Sequence, residues 1–503
     1  MPTMRRSSPV LIATLVGLLI LGLSARLALL RATDLWLDEA ASVLMAHMSL
    51  RELFELLHHE SHPPLYYLAL HALYGLADVG PMAVRWFSLA ASVAWVAVLV
   101  LLRPAALSPA AGCLAASLAA LHPLALYYGV EGKMYAALWL CGALVVGALV
   151  RGGTRAIIVA AVFQATALYL HNFGVLLLPV WLAAWFYERA QRRTVVIGCG
   201  AAVLVWLPWA VTFLPAQLAV QSAGDNFKVA LAGESHLSLL WQTVLAASAV
   251  PPFPSYLRTL ASLPSTPLAW LGLVLVPAAV IGGYRLWKAG ARREVAVLGV
   301  AALSACLPLL LVDLARPVYL PARYELLLLT PLFWLTGASL DGAPQRGRLL
   351  TAARAAPALV AALVAALVGL QFQRVPELHR TKGALAELIE ERGASIEVVA
   401  VGLTYGALAV ASWELDGRAR VQPFPAAAAT SPGERSPAGY LPHVLDADAA
   451  QLAALAPAEL DVLLAPTDEP SLLPPLDHAL RARGFTPQTT EQVGAYWWVH
   501  YRR

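Results

Sequence analysis

The chain has 503 residues, of which 59% are hydrophobic and only 13% charged, and its 35 Lys+Arg against 31 Asp+Glu leave a net charge of +4. With a mean hydropathy of +0.66, this excludes a disordered chain and a wholly soluble enzyme, because only a bilayer accepts so much apolar surface without aggregation. The even charge balance argues against nucleic acid as a partner and makes the placement of the charges the informative quantity.

The first apolar run, residues 10–30, follows Arg5 and Arg6. It is longer than the h-region of a signal peptide and has no small-x-small exit, so it is expected to be an uncleaved span with its N-terminus in the cytoplasm. Further runs long enough to cross lie near 82–102, 107–126, 134–150, 155–170, 173–188, 194–214, 267–287, 294–314, 323–340 and 350–370, eleven spans in all. The breaks between them alternate in sign. Arg103, Arg151 with Arg155, the 188–193 break, Lys288 with Arg292 and Arg293, and Arg346 with Arg348 and Arg354 fall on one side. The long breaks 31–81 and 215–266, and everything after 371, fall on the other. The positive-inside rule then puts the basic breaks in the cytoplasm and the two long loops and the tail outside.

Residues 62–76 decide the parity. The segment is short, opens on a double proline and carries His71, so it reads as an interfacial or re-entrant helix on the outer face. Were it to cross, the chain would have twelve spans and a cytoplasmic C-terminus. Beyond residue 371 charge and proline rise. Helices are expected at 376–393, 449–455 and 471–483, strands at 396–401, 461–465 and 494–501, and a loop at 423–442. That alternation suggests a small α/β domain at 371–503, appended to a membrane domain of residues 1–370. Cys113, Cys141, Cys199 and Cys306 sit singly in apolar runs with no metal or disulfide spacing, and read as small core residues.

The polar groups cluster at span ends. Asp34, Asp38 and Glu39 follow the first span, with Trp36 at interfacial depth. They are either solvated charges beside an aromatic belt, or a general base or metal ligand held against the membrane. His58, His59, Glu60 and His62 are either a solvated helix end or a metal site. His62 precedes Pro63-Pro64 at a helix start, where donors suit an anion. Glu131 and Lys133 form either an exposed ion pair of little worth or the counter-charge for a lipid-linked phosphate. His171-Asn172 reads as a polar cap, Arg316 and Arg323 need an anion or Glu325 as partner, and Asp225 is a weaker candidate. Acids from one loop and cations from two others would make an outward-facing cavity suited to acid–base chemistry on a hydroxyl beside a departing phosphate.

The pattern Trp36-x-Asp38-Glu39, His62-Pro63-Pro64-Leu65-Tyr66-Tyr67, Glu131-x-Lys133-x-Tyr135 and Arg323-Tyr324 resembles the GT-C superfamily of membrane glycosyltransferases over roughly residues 10–340. Within it, the chain looks like bacterial relatives of the protein O-mannosyltransferases and the lipid A aminoarabinose transferases, a family 39-like pattern. The resemblance implies transfer of a sugar from a polyprenyl-phosphate donor to a hydroxyl of a lipid, glycan or protein, outside the cytoplasmic membrane. It implies that Asp38, with Glu39 beside it, serves as catalytic base, and that His62, Lys133 and Arg323 meet the donor phosphate. Glu131, Tyr135, Tyr324 and His171 would support them. Lys133 stands where many relatives have arginine, keeping the charge but losing the two-pronged fork. Some relatives use a divalent ion; here its candidate ligands would be Asp38, His58 and His59. A transporter of lipid-linked sugars, or a non-catalytic assembly partner, is the competing expectation, although the internal symmetry common among transporters is not visible in the sequence.

Overall fold

A computed structural model describes residues 9–32, 37–58, 62–77, 79–223, 235–251, 267–315, 321–323 and 326–341, and in the tail 398–401, 420–423, 450, 452–454, 458–464, 469–493 and 496–503. Contacts divide the chain into two compact units. One comprises Met1–Leu29, Arg85–Thr212 and Phe227–Val375; the other comprises Leu30–Val84, Phe213–Asn226 and Pro376–Arg503.

The first unit is a helical assembly. The helix α1 (Pro9–Ala32) begins in it, and α5 (Val84–Leu101), α6 (Pro109–Leu121), α7 (Pro123–Val130), α8 (Tyr135–Arg151), α9 (Thr154–Leu170), α10 (Leu178–Tyr187), α11 (Arg192–Thr212), α13 (His236–Ala247), α14 (Leu275–Lys288), α15 (Arg292–Ala315) and α16 (Leu329–Ala338) are its other α-helices among the described residues. Among the described residues, five stretches are single helices long and apolar enough to cross a membrane: Ile12–Leu30, Val84–Leu101, Arg189–Thr212, Ala269–Lys288 and Arg292–Leu314. Large apolar side chains on them face outward, among them Leu204 and Val211, each 67% exposed, as a lipid-facing surface requires.

The remaining expected spans differ in detail. The 107–126 run is not one straight helix but α6 and α7, bent by 60° at His122-Pro123. Proline drives its predecessor out of helical geometry, and His122 adopts φ −62° and ψ 133°. Proline then starts the next helix at its first turn, where its missing N–H is no loss. The 134–150 and 155–170 runs become 17-residue helices, at the short end of what can cross. The 173–188 run begins as a 3-10 turn, Asn172–Leu177, before α10, and the 323–340 run yields the shorter apolar stretch Leu326–Ala338. The 350–370 run lies outside the described residues.

The largely aliphatic core of the first unit contains an aromatic cluster. The Trp95 ring lies tilted 4.9 Å from Trp139 and 6.0 Å from Phe333, and its indole N–H donates to Thr330 at 2.9 Å. Trp139, Trp95 and Phe333 are fully buried.

The second unit holds α2 (Leu37–His47), α3 (Leu50–Leu57), α4 (Leu65–Leu76), α12 (Leu214–Ala223) and the tail domain. Helix α3 is set by a complete capping box, Ser49 with Glu52, and buries Leu53 and Leu57. Helix α4 has 12 residues, about 18 Å of rise, too little to cross the roughly 30 Å hydrocarbon layer.

The tail forms a five-stranded sheet of β1 (Val398–Val401), β2 (Arg420–Pro423), β3 (Glu459–Leu464), β4 (Thr486–Val493) and β5 (Tyr496–Arg502), with the order β2-β1-β3-β5-β4. Strand β1 pairs parallel with β2 and β3, while β3–β5 and β5–β4 are antiparallel. Leu460, Val462 and Leu464, two residues apart, share one face and pack with Leu476 and Leu480 of α17 (Glu469–Arg481). Strands β1, β3 and β5 and helix α17 match the expected elements. Strands β2 and β4 add to the expected elements: β4, TPQTTEQV, is a polar edge strand with no apolar alternation and a bulge between Pro487 and Thr489. The expected helix at 376–393 lies outside the described residues, as does the 423–442 loop beyond its first residue.

Candidate functional site

The predicted site residues fall in both units. In the second, Asp38 and Glu39 open α2, in its first turn, where carboxylates favour the positive end of the helix dipole. Glu39 is fully buried and Asp38 half-buried. The Asp38 carbonyl accepts the Ser42 hydroxyl at 2.8 Å, which tightens this turn. His62 stands two residues before Pro64, the N-cap of α4, rather than on the helix itself. Its placement comes from α12: the Gln217 side-chain amide, fully buried, donates to the carbonyls of Leu57 at 3.1 Å and His62 at 3.0 Å. One amide thus clamps both ends of the turn between α3 and α4.

His58 caps α3, and its ring stacks on Phe213 at 4.1 Å with 23° between the planes. His59 lies outside the described residues, as do Asp34, Trp36, Glu60, Asp225, Arg316, Tyr324 and Glu325. Among the described residues no group of three His, Cys, Asp or Glu side chains converges to hold a metal ion.

In the first unit the motif Glu131-x-Lys133-x-Tyr135 forms the short turn between α7 and α8. Glu131 is the C-cap of α7, its N–H bonded to the Tyr127 carbonyl at 3.1 Å. The Lys133 N–H then donates to the Glu131 carbonyl at 2.7 Å, and the Ser88 hydroxyl of α5 donates to the Lys133 carbonyl at 2.7 Å. Glu131 and Lys133 are 4% and 5% exposed, so neither is the solvated surface pair that sequence alone left open.

Tyr135 is the centre of the cluster. Its ring lies 5.1 Å from Tyr128 and 5.7 Å from His171, and the Arg323 guanidinium sits 5.8 Å from its centroid. Arg323 is presented by a turn in which Ala322, fully buried, holds φ +68°, a left-handed conformation that costs a non-glycine residue about 1 kcal/mol. His171 follows the last residue of α9. Burial lowers its pKa to about 3, and the nearby charges of Arg323 and Lys133 push in the same direction. Glu131, Lys133, Tyr135, His171 and Arg323 are therefore drawn from three separate stretches of the chain into one unit, with Lys133 and Arg323 both close enough to act on His171. A buried lysine, a half-buried arginine and a neutral imidazole form a setting in which an anion is stabilised.

Arg26 and Ser92 were not singled out from the sequence, although both are buried in the first unit. An arginine inside an apolar run, and a proline at 123 inside another, were the available signals.

No family model matches the chain, and no curated protein matches it in sequence. Solved structures do. The crystal structure of ArnT from Cupriavidus metallidurans bound to undecaprenyl phosphate is similar with a TM-score of 0.57 at 13% identity, covering 98% of this chain and 98% of that one. The same protein in the apo state gives 0.59 at 12% identity over 96% of this chain and 98% of that one. Identity this low carries the fold and nothing finer. The chain is a multi-pass α-helical membrane protein with the GT-C fold and a small α/β domain in its tail.

Proposed function

We propose that the protein is a membrane glycosyltransferase that moves a sugar from a polyprenyl-phosphate carrier to an acceptor hydroxyl on the outer face of the cytoplasmic membrane. The observation that carries this reading is the cluster in which Lys133 and Arg323 both act on His171 beside Tyr135. A fold whose solved example is bound to undecaprenyl phosphate supports it. In this reading the carrier phosphate meets Lys133 and Arg323, with His62 as a third donor, and the acceptor is a lipid, glycan or protein hydroxyl.

Asp38 accepts the proton of the acceptor hydroxyl. The oxygen attacks the anomeric carbon, and the bond from that carbon to the phosphate oxygen breaks. The electron pair leaves with polyprenyl phosphate, whose charge is met by the cations. Glu39, Glu131, Tyr135 and Tyr324 orient the groups around this exchange. Asp38, His58 and His59 remain the candidate ligands of a divalent ion, and no step uses one.

The test is a transfer assay with a radiolabelled lipid-linked sugar. Asp38→Asn is expected to lower turnover by about a hundredfold or more while inserting normally. Near-normal turnover in that variant removes Asp38 from the mechanism. Movement of a fluorescent lipid-linked sugar across vesicles without any transfer replaces the enzyme with a transporter.

A further inference from the structure

Arg26 is fully buried in the apolar helix α1. A guanidinium in a membrane span is costly unless its donors are met, and such residues mark function more often than packing. All five of its N–H donors are met. Nε donates to the Ser92 hydroxyl at 2.9 Å, Nη1 to the carbonyls of Gly22 at 3.0 Å and Ala120 at 3.1 Å, and Nη2 to those of Ala119 at 2.9 Å and Ala125 at 3.2 Å.

The acceptors explain why the arginine is there. In an unbroken helix the Ala119 carbonyl would accept the N–H of residue 123, but that residue is proline and has none. The bend also takes Ala120 out of its ladder, so the C-terminal end of α6 leaves carbonyls that lipid would not satisfy. Arg26 supplies the missing donors at the negative end of the α6 dipole.

Ser92 extends the clamp. Besides accepting from Arg26, its hydroxyl shares its one proton between two carbonyls at 3.0 Å, that of Leu89 in its own helix and that of Gly129 in the last turn of α7. Gly129 has no room for a side chain, since a Cβ there would stand 2.8 Å from Arg26 Nε and 3.2 Å from Ser92 Oγ. Ser88, one turn before Ser92 on the same face of α5, holds the Lys133 carbonyl. The chain from Gly129 to Lys133 is thus fastened at both ends to one helix, and the inner fastening is locked by Arg26.

We propose that Arg26 is a positioning residue for the phosphate site: by fixing the break between α6 and α7 it sets where Glu131 and Lys133 stand. This rests on reading Lys133 as a phosphate contact. If charge alone were needed, lysine would serve in its place; if the five-donor fork is needed, lysine fails, because it has three donors and no fixed plane.

The test measures binding of undecaprenyl phosphate to the purified full chain in detergent, well below the melting temperature of each variant. Lys133→Met is expected to weaken binding by about tenfold or more, the loss of one charge-assisted contact. Arg26→Lys and Gly129→Ala are expected to weaken it by about tenfold while eluting as folded, monodisperse protein. Ser92→Ala, which leaves the guanidinium in place, gives a smaller loss in the same direction and carries the test should Arg26→Lys not fold. Wild-type affinity in folded Arg26→Lys and Ser92→Ala, beside a weakened Lys133→Met, overturns the positioning role and leaves Arg26 as a stabilising residue only. Equal affinity in the wild type and Lys133→Met overturns the phosphate reading on which it rests.

Discussion

The backbone N–H of Phe173 donates to Nδ1 of His171 at 2.9 Å. A nitrogen that accepts carries no proton, so the neutral imidazole bears its proton on Nε2. The cap on the 3-10 turn thereby fixes the tautomer of a histidine that faces two cations.

A pH dependence of stability follows. In the unfolded chain His171 takes up a proton near pH 6.5, whereas in the folded protein it does so only near pH 3. Between those values the unfolded state binds the extra proton, so this residue's contribution is present above pH 6.5 and is lost as pH falls toward 3. The slope approaches about 1.4 kcal/mol per pH unit. Thermal melts of the wild type and His171→Asn across pH 4 to 7 should show a steeper acid loss in the wild type. Parallel curves would refute the depressed pKa.

The two cations are not expected to tolerate substitution equally. Lys133→Arg keeps the charge and restores the fork, so it should retain carrier binding, while Arg323→Lys loses the guanidinium that lies 5.8 Å from the Tyr135 ring centroid. A loss of roughly three- to tenfold in KM for the lipid-linked donor, with a smaller change in kcat, is expected for Arg323→Lys. Steady-state kinetics on both variants checks the order, and a larger loss in Lys133→Arg would reverse it.

Gln217→Leu should loosen the turn between α3 and α4. The substitution leaves the carbonyls of Leu57 and His62 without the amide that now serves both. Removing this donor from the buried Leu57 carbonyl costs about 1–3 kcal/mol, and from the part-buried His62 carbonyl less. Limited proteolysis between residues 57 and 65, compared with the wild type, reads the loosening directly. Unchanged cleavage would show that the clamp is redundant.

In the tail sheet, Oδ1 of Asp461 accepts the Trp498 indole N–H at 2.6 Å and lies 3.1 Å from Nδ1 of His500. Asp461 and His500 are register partners on β3 and β5, and Trp498 is the next residue on the same face of β5. Asp461→Leu removes both contacts and takes from the buried Trp498 indole N–H this acceptor, with an expected loss of about 1–3 kcal/mol in the stability of this domain. Tryptophan fluorescence during denaturant unfolding should report an earlier transition in the variant.

The span pattern was legible because apolar length and charge at the breaks are properties of the chain itself. The shortness of the 62–76 helix and the strands β1, β3 and β5 were legible for the same reason, since each carries a local apolar signal. The bend at 122–123 was signalled by His122-Pro123, yet hydropathy alone averaged across it and made the run look continuous. Strand β4 gave no signal because an edge strand exposed on its polar side needs no apolar alternation.

The sequence by itself determined that the chain crosses a membrane, which residue types stand at the span ends, and which family they resemble. It could name Lys133, His171 and Arg323 one by one, but 190 positions separate the first from the last, and no local rule ties such distant residues together. Only the tertiary structure decided that they gather about Tyr135, that Glu131 and Lys133 are buried, and that Arg26 serves the broken helix. The physical reason is that hydropathy is fixed by composition, whereas the partner of a buried charge is fixed by the packing that brings it a donor or an acceptor.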